Sequence, residues 1–280
     1  MANTIETIAL PDGERVAKLG QGTWEMGERP ARRAAEIAAL RAGIELGLTL
    51  IDTAEMYGDG ATEELVGEAI QGLRDGLFLV SKVYPHHADR RQMIASCKAS
   101  LRRLGTDRLD LYLLHWRGEV PLDETLEAFE RLRAAGKIRH WGVSNFDTDD
   151  MEELVAAGGA GCATNQILYN LARRGPEFDL LPWQATRHIP AMAYSPIDHL
   201  RLPKGTVLDE IARERDATPQ QVALAWVLRR DDMIAIPKAG DVEHVRANRA
   251  ALDLVIDDAA LARLDVAFRP PREKQALEML

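Results

Sequence analysis

Leu48-Thr-Leu-Ile-Asp52-Thr-Ala-Glu-Met-Tyr57-Gly58 is an apolar, β-favouring run that ends in an acid, with a tyrosine five residues on in what should be a turn. Two later runs end alike. Leu77-Phe-Leu-Val-Ser-Lys82 ends in a lysine, and Leu109-Asp-Leu-Tyr-Leu-Leu-His115 ends in a histidine. If these runs are neighbouring parallel strands, Asp52, Tyr57, Lys82 and His115 meet at one rim of a sheet or barrel.

The flanking segments test that reading. Ile5 to Ala17 reads as a hairpin, because Pro11-Asp12-Gly13 is turn chemistry. A short strand, Lys18 to Gly22, follows. Ile37, Leu40 and Ile44 lie on one helical face between Ala31 and Leu46, and Gly47 stands where a C-terminal cap belongs. Further helices are expected from about Thr62, over 89–104, over 123–135 and after Thr148. The remaining strands are expected at 138–145, 162–166, 189–196 and 233–238. Thr218-Pro219-Gln220-Gln221 combines an N-cap, a proline at the first helical position and a capping-box glutamine. Helices over 242–251 and 258–267 close the chain.

Eight strands alternating with helices imply a parallel sheet, since parallel strands need crossovers. A (β/α)8 barrel takes about 250 residues, and this chain has 280. The competing open sheet usually carries G-x-G-x-x-G after a strand. Gly20-Gln-Gly22 lacks the third glycine, because position 25 is Glu25. The fold expected is therefore α/β, a single (β/α)8 TIM barrel over 1–280, preceded by the hairpin.

Composition narrows the function. A net charge of −9 disfavours nucleic acid or an anionic membrane as the main partner. Cys97 and Cys162, the only cysteines, form no C-x-x-C pair, so neither a disulfide framework nor a thiolate zinc site is expected. No apolar run approaches the roughly 20 residues of a membrane span, and Met1-Ala-Asn-Thr-Ile-Glu lacks the features of a signal peptide. The chain reads as a cytoplasmic protein, and nothing demands more than a monomer.

In such a barrel the active site lies at the C-terminal strand ends. Asp52, Lys82, His115, Ser144, Asn145, Gln166, Tyr194, Ser195 and Lys238 all fall at expected strand ends. Each alone has a plainer reading: an acid as a helix cap, a lysine as a solvated charge, a histidine as a hydrogen-bonded core residue. Their recurrence at one rim favours function. The chemistry that fits is carbonyl reduction. A free tyrosine has a pKa of about 10, and lowering it by about 2 units takes ~2.7 kcal/mol of differential interaction. Lys82 would supply that charge beside Tyr57. Asp52 would keep Lys82 protonated, and His115 would hydrogen-bond the substrate oxygen. No step needs a metal. Side chains do not donate hydride, so a nicotinamide is implied.

With these residues assembled, the chain resembles the aldo-keto reductase superfamily over essentially its whole length. Three stretches carry the resemblance: Leu50 to Gly58 with Glu63, Glu64 and Gly67; Gly136 to Phe146; and Ile236-Pro237-Lys238. It implies a (β/α)8 barrel with the N-terminal β-hairpin at its bottom and NADPH-dependent reduction of a small-molecule carbonyl, with Tyr57 as general acid and Asp52, Lys82 and His115 completing a tetrad. It implies Ser144, Asn145 and Gln166 at the nicotinamide carboxamide and Tyr194 stacked on the ring. Ser195 and the following loop would cover the pyrophosphate, and Lys238 would face the 2′-phosphate that NADH lacks. Trp24 and Trp116 would join Tyr57 and His115 around the carbonyl.

The chain departs from the family pattern beyond Lys238. Ala239 replaces a common hydroxyl, His244 a common arginine, and Ala247 a glutamate before the adenine-side Asn248. Arg246 lies nearby. These departures leave NADH open beside NADPH. The short tail, Arg272 to Leu280, resembles the bacterial subgroup of methylglyoxal and diketo-gluconate reductases, which points to small dicarbonyls or sugar-type carbonyls. Leu277, Met279 and Leu280 either fold back toward the rim or pack on the outer wall. Two other readings stand beside this one: a non-catalytic nucleotide sensor of the same fold, and a barrel enzyme with Lys82 as a Schiff base.

Overall fold

The computed structural model describes residues 5–198 and 206–280. β1 (Thr7–Ala9) and β2 (Arg15–Ala17) form an antiparallel hairpin. Its turn includes Gly13 at φ 91°, as the Pro-Asp-Gly signal predicts. Eight parallel strands follow: β3 (Gln21–Gly22), β4 (Leu50–Asp52), β5 (Phe78–Val83), β6 (Leu109–Leu114), β7 (Ile138–Ser144), β8 (Asn165–Leu168), β9 (Ala191–Tyr194) and β10 (Met233–Ala235). Every residue of β5 and β6 is buried. That is why both read as near-continuous apolar runs, not alternating ones.

Sequential strands pair in chain order from β3 to β10. Parallel bridges from Leu19 to Ala235 and from Gly22 to Lys238 join the two ends. The sheet is thereby closed as the expected (β/α)8 barrel. Closure explains the Gly20-Gln-Gly22 run. A Cβ on Gly22 would stand 2.6 Å from the Ile236 carbonyl oxygen, and one on Gly20 would stand 2.9 Å from that of Leu50. These glycines admit close strand approach at the seam.

The hairpin sits under the N-terminal strand ends. Its Glu14 carboxylate lies 2.6 Å from both the Arg139 guanidinium and the His140 imidazole, at the start of β7. Ser144, at the other end of that strand, therefore faces the opposite mouth.

The helices are α1 (Arg33–Glu45), α2 (Ala61–Ala69), α3 (Gln92–Leu104), α4 (Leu122–Ala134), α5 (Thr148–Ala156), α6 (Leu180–Ala185), α7 (Val207–Glu214), α8 (Pro219–Leu228), α9 (Val242–Ala250) and α10 (Asp258–Ala267). The Thr218 capping box forms as expected. Two other expected caps are corrected. Asp147, not Thr148, caps α5 through the Asp150 N–H. Thr62 lies inside α2, where its buried hydroxyl donates to the Met26 carbonyl. Helices α6 and α7 were not anticipated. They have six and eight residues, too short for a strong periodic signal. The sixth barrel strand starts at Asn165, three residues later than Cys162, because Cys162 to Thr164 form its approach, and it runs on to Leu168, so Gln166 lies within the strand and not at its end. Among the described residues, no helix is long and apolar enough to cross a membrane.

Candidate active site

Strand β4 delivers Asp52 to the C-terminal rim with 2% exposure, and β5 delivers Lys82 with none. Beyond β4 the backbone holds the neighbouring strand for two more residues of contact: Thr53 N–H donates to the Val80 carbonyl, and Glu55 N–H donates to that of Lys82. The chain then turns at Tyr57, whose N–H donates to the Ala54 carbonyl. Gly58, Asp59 and Gly60 all adopt positive φ. Three successive left-handed residues redirect the chain sharply, and the Gly-Asp-Gly sequence tolerates this at little cost. The ring of Tyr57 lies over Lys82, whose Nζ stands 4.7 Å from its centroid.

The Lys82 ammonium donates to Asp52 Oδ1 at 2.7 Å, to the Thr53 carbonyl at 2.9 Å and to the Tyr57 hydroxyl at 3.1 Å. Its three protons have three acceptors. Burial by itself would favour neutral lysine, but Asp52 and Tyr57 outweigh it and hold Lys82 above the usual lysine range. Burial pushes Asp52 up as well, opposed by Lys82 and by a hydrogen bond from Gln166.

For Tyr57 the structure reverses the expected sign. Burial raises the phenol above its ordinary value, and the Lys82 ammonium offsets that only in part. In this state Tyr57 is held as a protonated phenol, suited to give a proton rather than to take one.

His115 follows β6, its ring 5.9 Å from that of Tyr57 and edge-on to it. Burial, followed by the Lys82 charge, pushes its pKa down to about 2. The imidazole is neutral, and its Nδ1 is buried with no hydrogen-bond partner among the described residues. The ring of Trp116 packs 4.9 Å from it. Trp24 is partly exposed after β3.

A second group of expected residues is tied to the first. Gln166 Nε2 donates to Asp52 Oδ2 at 2.8 Å. Ser144 Oγ donates to the Gln166 carbonyl at 2.9 Å. Asn145 Nδ2 donates to the His115 carbonyl at 3.1 Å, and Asn145 Oδ1 accepts from the Tyr194 hydroxyl at 2.9 Å. Asn145 and Ser195 both hold positive φ, so the chain bends abruptly at the ends of β7 and β9. Tyr57, Lys82, Asp52, Gln166, Ser144, Asn145 and Tyr194 thus form one continuous hydrogen-bonded chain across five strands.

The remaining expected residues stand apart. The Ser195 carbonyl accepts from Asn170 Nδ2 at 2.9 Å. The loop beyond it includes residues 199–205, outside the described residues. Lys238 is exposed at the barrel seam and makes no ion pair among the described residues. Its neighbourhood holds a cation the sequence reading missed. A Cβ on Gly240 would lie 3.2 Å from Arg32 Nη2 and 3.9 Å from Lys238 Nζ. Arg32 is otherwise an ordinary helix-start residue, and only barrel closure brings it there. On α9, His244 is exposed and turned back on Asp241, with Nδ1 2.8 Å from Oδ2. Asn248 lies one turn further along the same helix.

The open question about the tail is answered in both directions. Leu277 packs on the core, while the backbone of Leu280 reaches the phenol of Tyr194 at the rim. Lys274 anchors the segment to Asp149 at 2.9 Å, and Glu278 pairs with Arg173.

Comparison with known proteins agrees with this geometry. The profile described as "Aldo/keto reductase family" matches residues 18–268. The chain is 55% identical over 268 residues to "Methylglyoxal reductase YeaE" of Escherichia coli (strain K12), covering 94% of each chain. It is 53% identical, with a TM-score of 0.95, to an aldo/keto reductase from Klebsiella pneumoniae solved in complex with NADP and acetate. That match covers 99% of this chain and all 100% of the other. It is 33% identical, with a TM-score of 0.85, to a putative 2,5-diketo-D-gluconic acid reductase B, covering 98% of this chain and 97% of that one. A closed (β/α)8 barrel, an Asp-Tyr-Lys-His cluster at its C-terminal mouth and a family match spanning nearly the whole chain lead to one assignment: this chain belongs to the aldo/keto reductase family.

Proposed function

We propose that the protein is an NADPH-dependent reductase of small aldehydes and dicarbonyls, with Tyr57 as the proton donor. The observation that carries this reading is the buried trio of Tyr57, Lys82 and Asp52, linked by contacts of 3.1 and 2.7 Å. NADPH supplies the hydride. The residues present suit that cofactor. Ser144, Asn145 and Gln166 gather hydroxyl and amide groups of both donor and acceptor character at one point, as recognition of a carboxamide requires. Tyr194 stands beside them. Lys238 and Arg32 offer two cations to a 2′-phosphate.

The chain's own residues divide the work. Neutral His115 orients the carbonyl oxygen toward the Tyr57 hydroxyl, with Trp24 and Trp116 at the mouth. Tyr57 gives that oxygen a proton as alkoxide character develops. Lys82 stabilises the phenolate left behind, and Asp52 holds Lys82 charged and in place. The similarity to a methylglyoxal reductase supports a small dicarbonyl as substrate. The reading takes residues 1–280 as one barrel domain acting as a cytoplasmic monomer.

The test follows NADPH consumption with methylglyoxal, an aromatic aldehyde, an aldose and a keto-sugar acid, with NADH in parallel. Turnover is expected with methylglyoxal, and Tyr57→Phe is expected to lose about 10²- to 10⁴-fold while still binding NADPH. Tyr57→Phe retaining wild-type turnover would remove the proton-donor role. NADPH binding without turnover on any carbonyl would favour the sensor instead.

A further inference from the structure

We propose that Glu55 is a positioning residue that sets the width of the carbonyl entrance by clamping the turn after β5. The proposal rests on the reductase reading above.

Glu55 lies between Asp52 and Tyr57, with its side chain 8% exposed. A carboxylate this buried needs partners, and neither lies within the tetrad. Glu55 Oε1 accepts from the backbone N–H of Tyr84 at 2.8 Å and contacts Nδ1 of His87 at 3.1 Å. A carboxylate only accepts, so the His87 proton resides on Nδ1. Ser96 Oγ, at 3.2 Å, approaches the same nitrogen from α3. One oxygen atom thus gathers both ends of the Tyr84–His87 turn.

That turn faces the entrance. The Tyr84 ring meets Trp116 edge-on at 6.0 Å and His86 at 4.8 Å. Trp116 in turn packs on His115. Pro85 presses on the loop beyond Trp116, where a Cβ on Gly118 would stand 2.4 Å from Pro85 Cβ. Any shift of the turn therefore moves Tyr84 relative to Trp116. The clamp joins the segment that carries Tyr57 to the segment that follows Lys82, so the aromatic wall keeps a constant distance from the proton donor. A fixed, narrow wall suits carbonyls of a few carbons, which have too little surface to order a loose one.

The experiment compares Glu55→Ala, Glu55→Gln and His87→Ala in the full chain. KM and kcat are measured for methylglyoxal and for an aromatic aldehyde, and NADPH affinity by fluorescence titration. Glu55→Ala is expected to raise KM for methylglyoxal about tenfold, with kcat and NADPH affinity within about twofold and a smaller rise for the aromatic aldehyde. His87→Ala, which leaves the Tyr84 bond intact, is expected to shift KM in the same direction by less. Glu55→Gln keeps an acceptor oxygen and is expected to restore wild-type selectivity. Unchanged KM in Glu55→Ala, an equal rise for both aldehydes, or a parallel loss of NADPH affinity would overturn the clamp. Wild-type protein that turns over neither aldehyde would overturn the reductase reading and the clamp with it, so the two failures are distinguishable.

Discussion

Gln166 donates from Nε2 to Oδ2 of Asp52 at 2.8 Å, across 114 positions of sequence. The carboxylate that anchors Lys82 through Oδ1 is thus anchored itself, through its second oxygen, by a residue from the other side of the barrel. The Tyr57–Lys82 group and the Gln166–Ser144–Asn145 group thus share one acid.

Gln166→Leu removes the amide without a large change in volume. We expect kcat to fall about tenfold, as loss of a hydrogen bond to a buried charge implies, and NADPH affinity to fall with it. Steady-state rates and a fluorescence titration check both. A loss confined to NADPH affinity would show that the bond to Asp52 has no part in catalysis.

Lys82→Met leaves Asp52 buried and unpaired. Removing one partner of such a pair costs about 3–5 kcal/mol, visible in urea unfolding. The double variant Asp52→Asn with Lys82→Met is expected to recover most of that stability and none of the activity, which separates the structural part of the pair from the chemical part. Recovery of turnover in the double variant would remove Lys82 from the mechanism.

His115 makes stability depend on pH. Its pKa is depressed from the ordinary 6.5 to about 2 in the fold. Between those values the unfolded chain binds a proton that the native chain does not. Stability is therefore complete above pH 6.5 and falls as pH drops toward 2. Between pH 6.5 and 5 the loss from this one residue is about 2 kcal/mol. Urea titrations at the two pH values should show that difference in the wild type and not in His115→Gln, after the slope common to both is subtracted.

Lys238→Ala is expected to weaken NADPH by about tenfold or more while leaving NADH nearly unchanged, since only the former offers a 2′-phosphate to a charge-assisted contact. Arg32→Ala should act in the same direction. Competitive titration of the two cofactors measures it. Equal loss for both would place these cations away from the 2′-phosphate.

Much of the rim was legible because strand ends are punctuated locally. Asp52, Lys82 and His115 each terminate an apolar run, and a polar residue there has no packing reason to recur. The Ser144-Asn145 pair is legible in the same way. Arg32 was not, since nothing in its helical surroundings marks it, and it reaches Gly240 only across 208 positions. Glu55 and His87 lie 32 positions apart and carry no motif between them. The caps at Asp147 and Gly60 were misread by one or two positions, because adjacent residues of similar capping propensity are decided by backbone φ and ψ, not by side-chain type.

The order of eight strands, the parallel sheet and the residues at its C-terminal edge are written in the amino-acid sequence. Those follow from hydrophobic period and turn chemistry, which act over a few residues and are written in them. Which of those residues touch is set by the folded barrel, because contact across it depends on how the seam closes at Gly22 and Lys238. It also decided the sign of the Tyr57 shift. A lysine beside a tyrosine argues for a lowered pKa, yet enclosure by the closed barrel removes water from the phenolate and raises it further than one ammonium lowers it. Desolvation is a property of the assembled volume around a group, and no stretch of chain contains it.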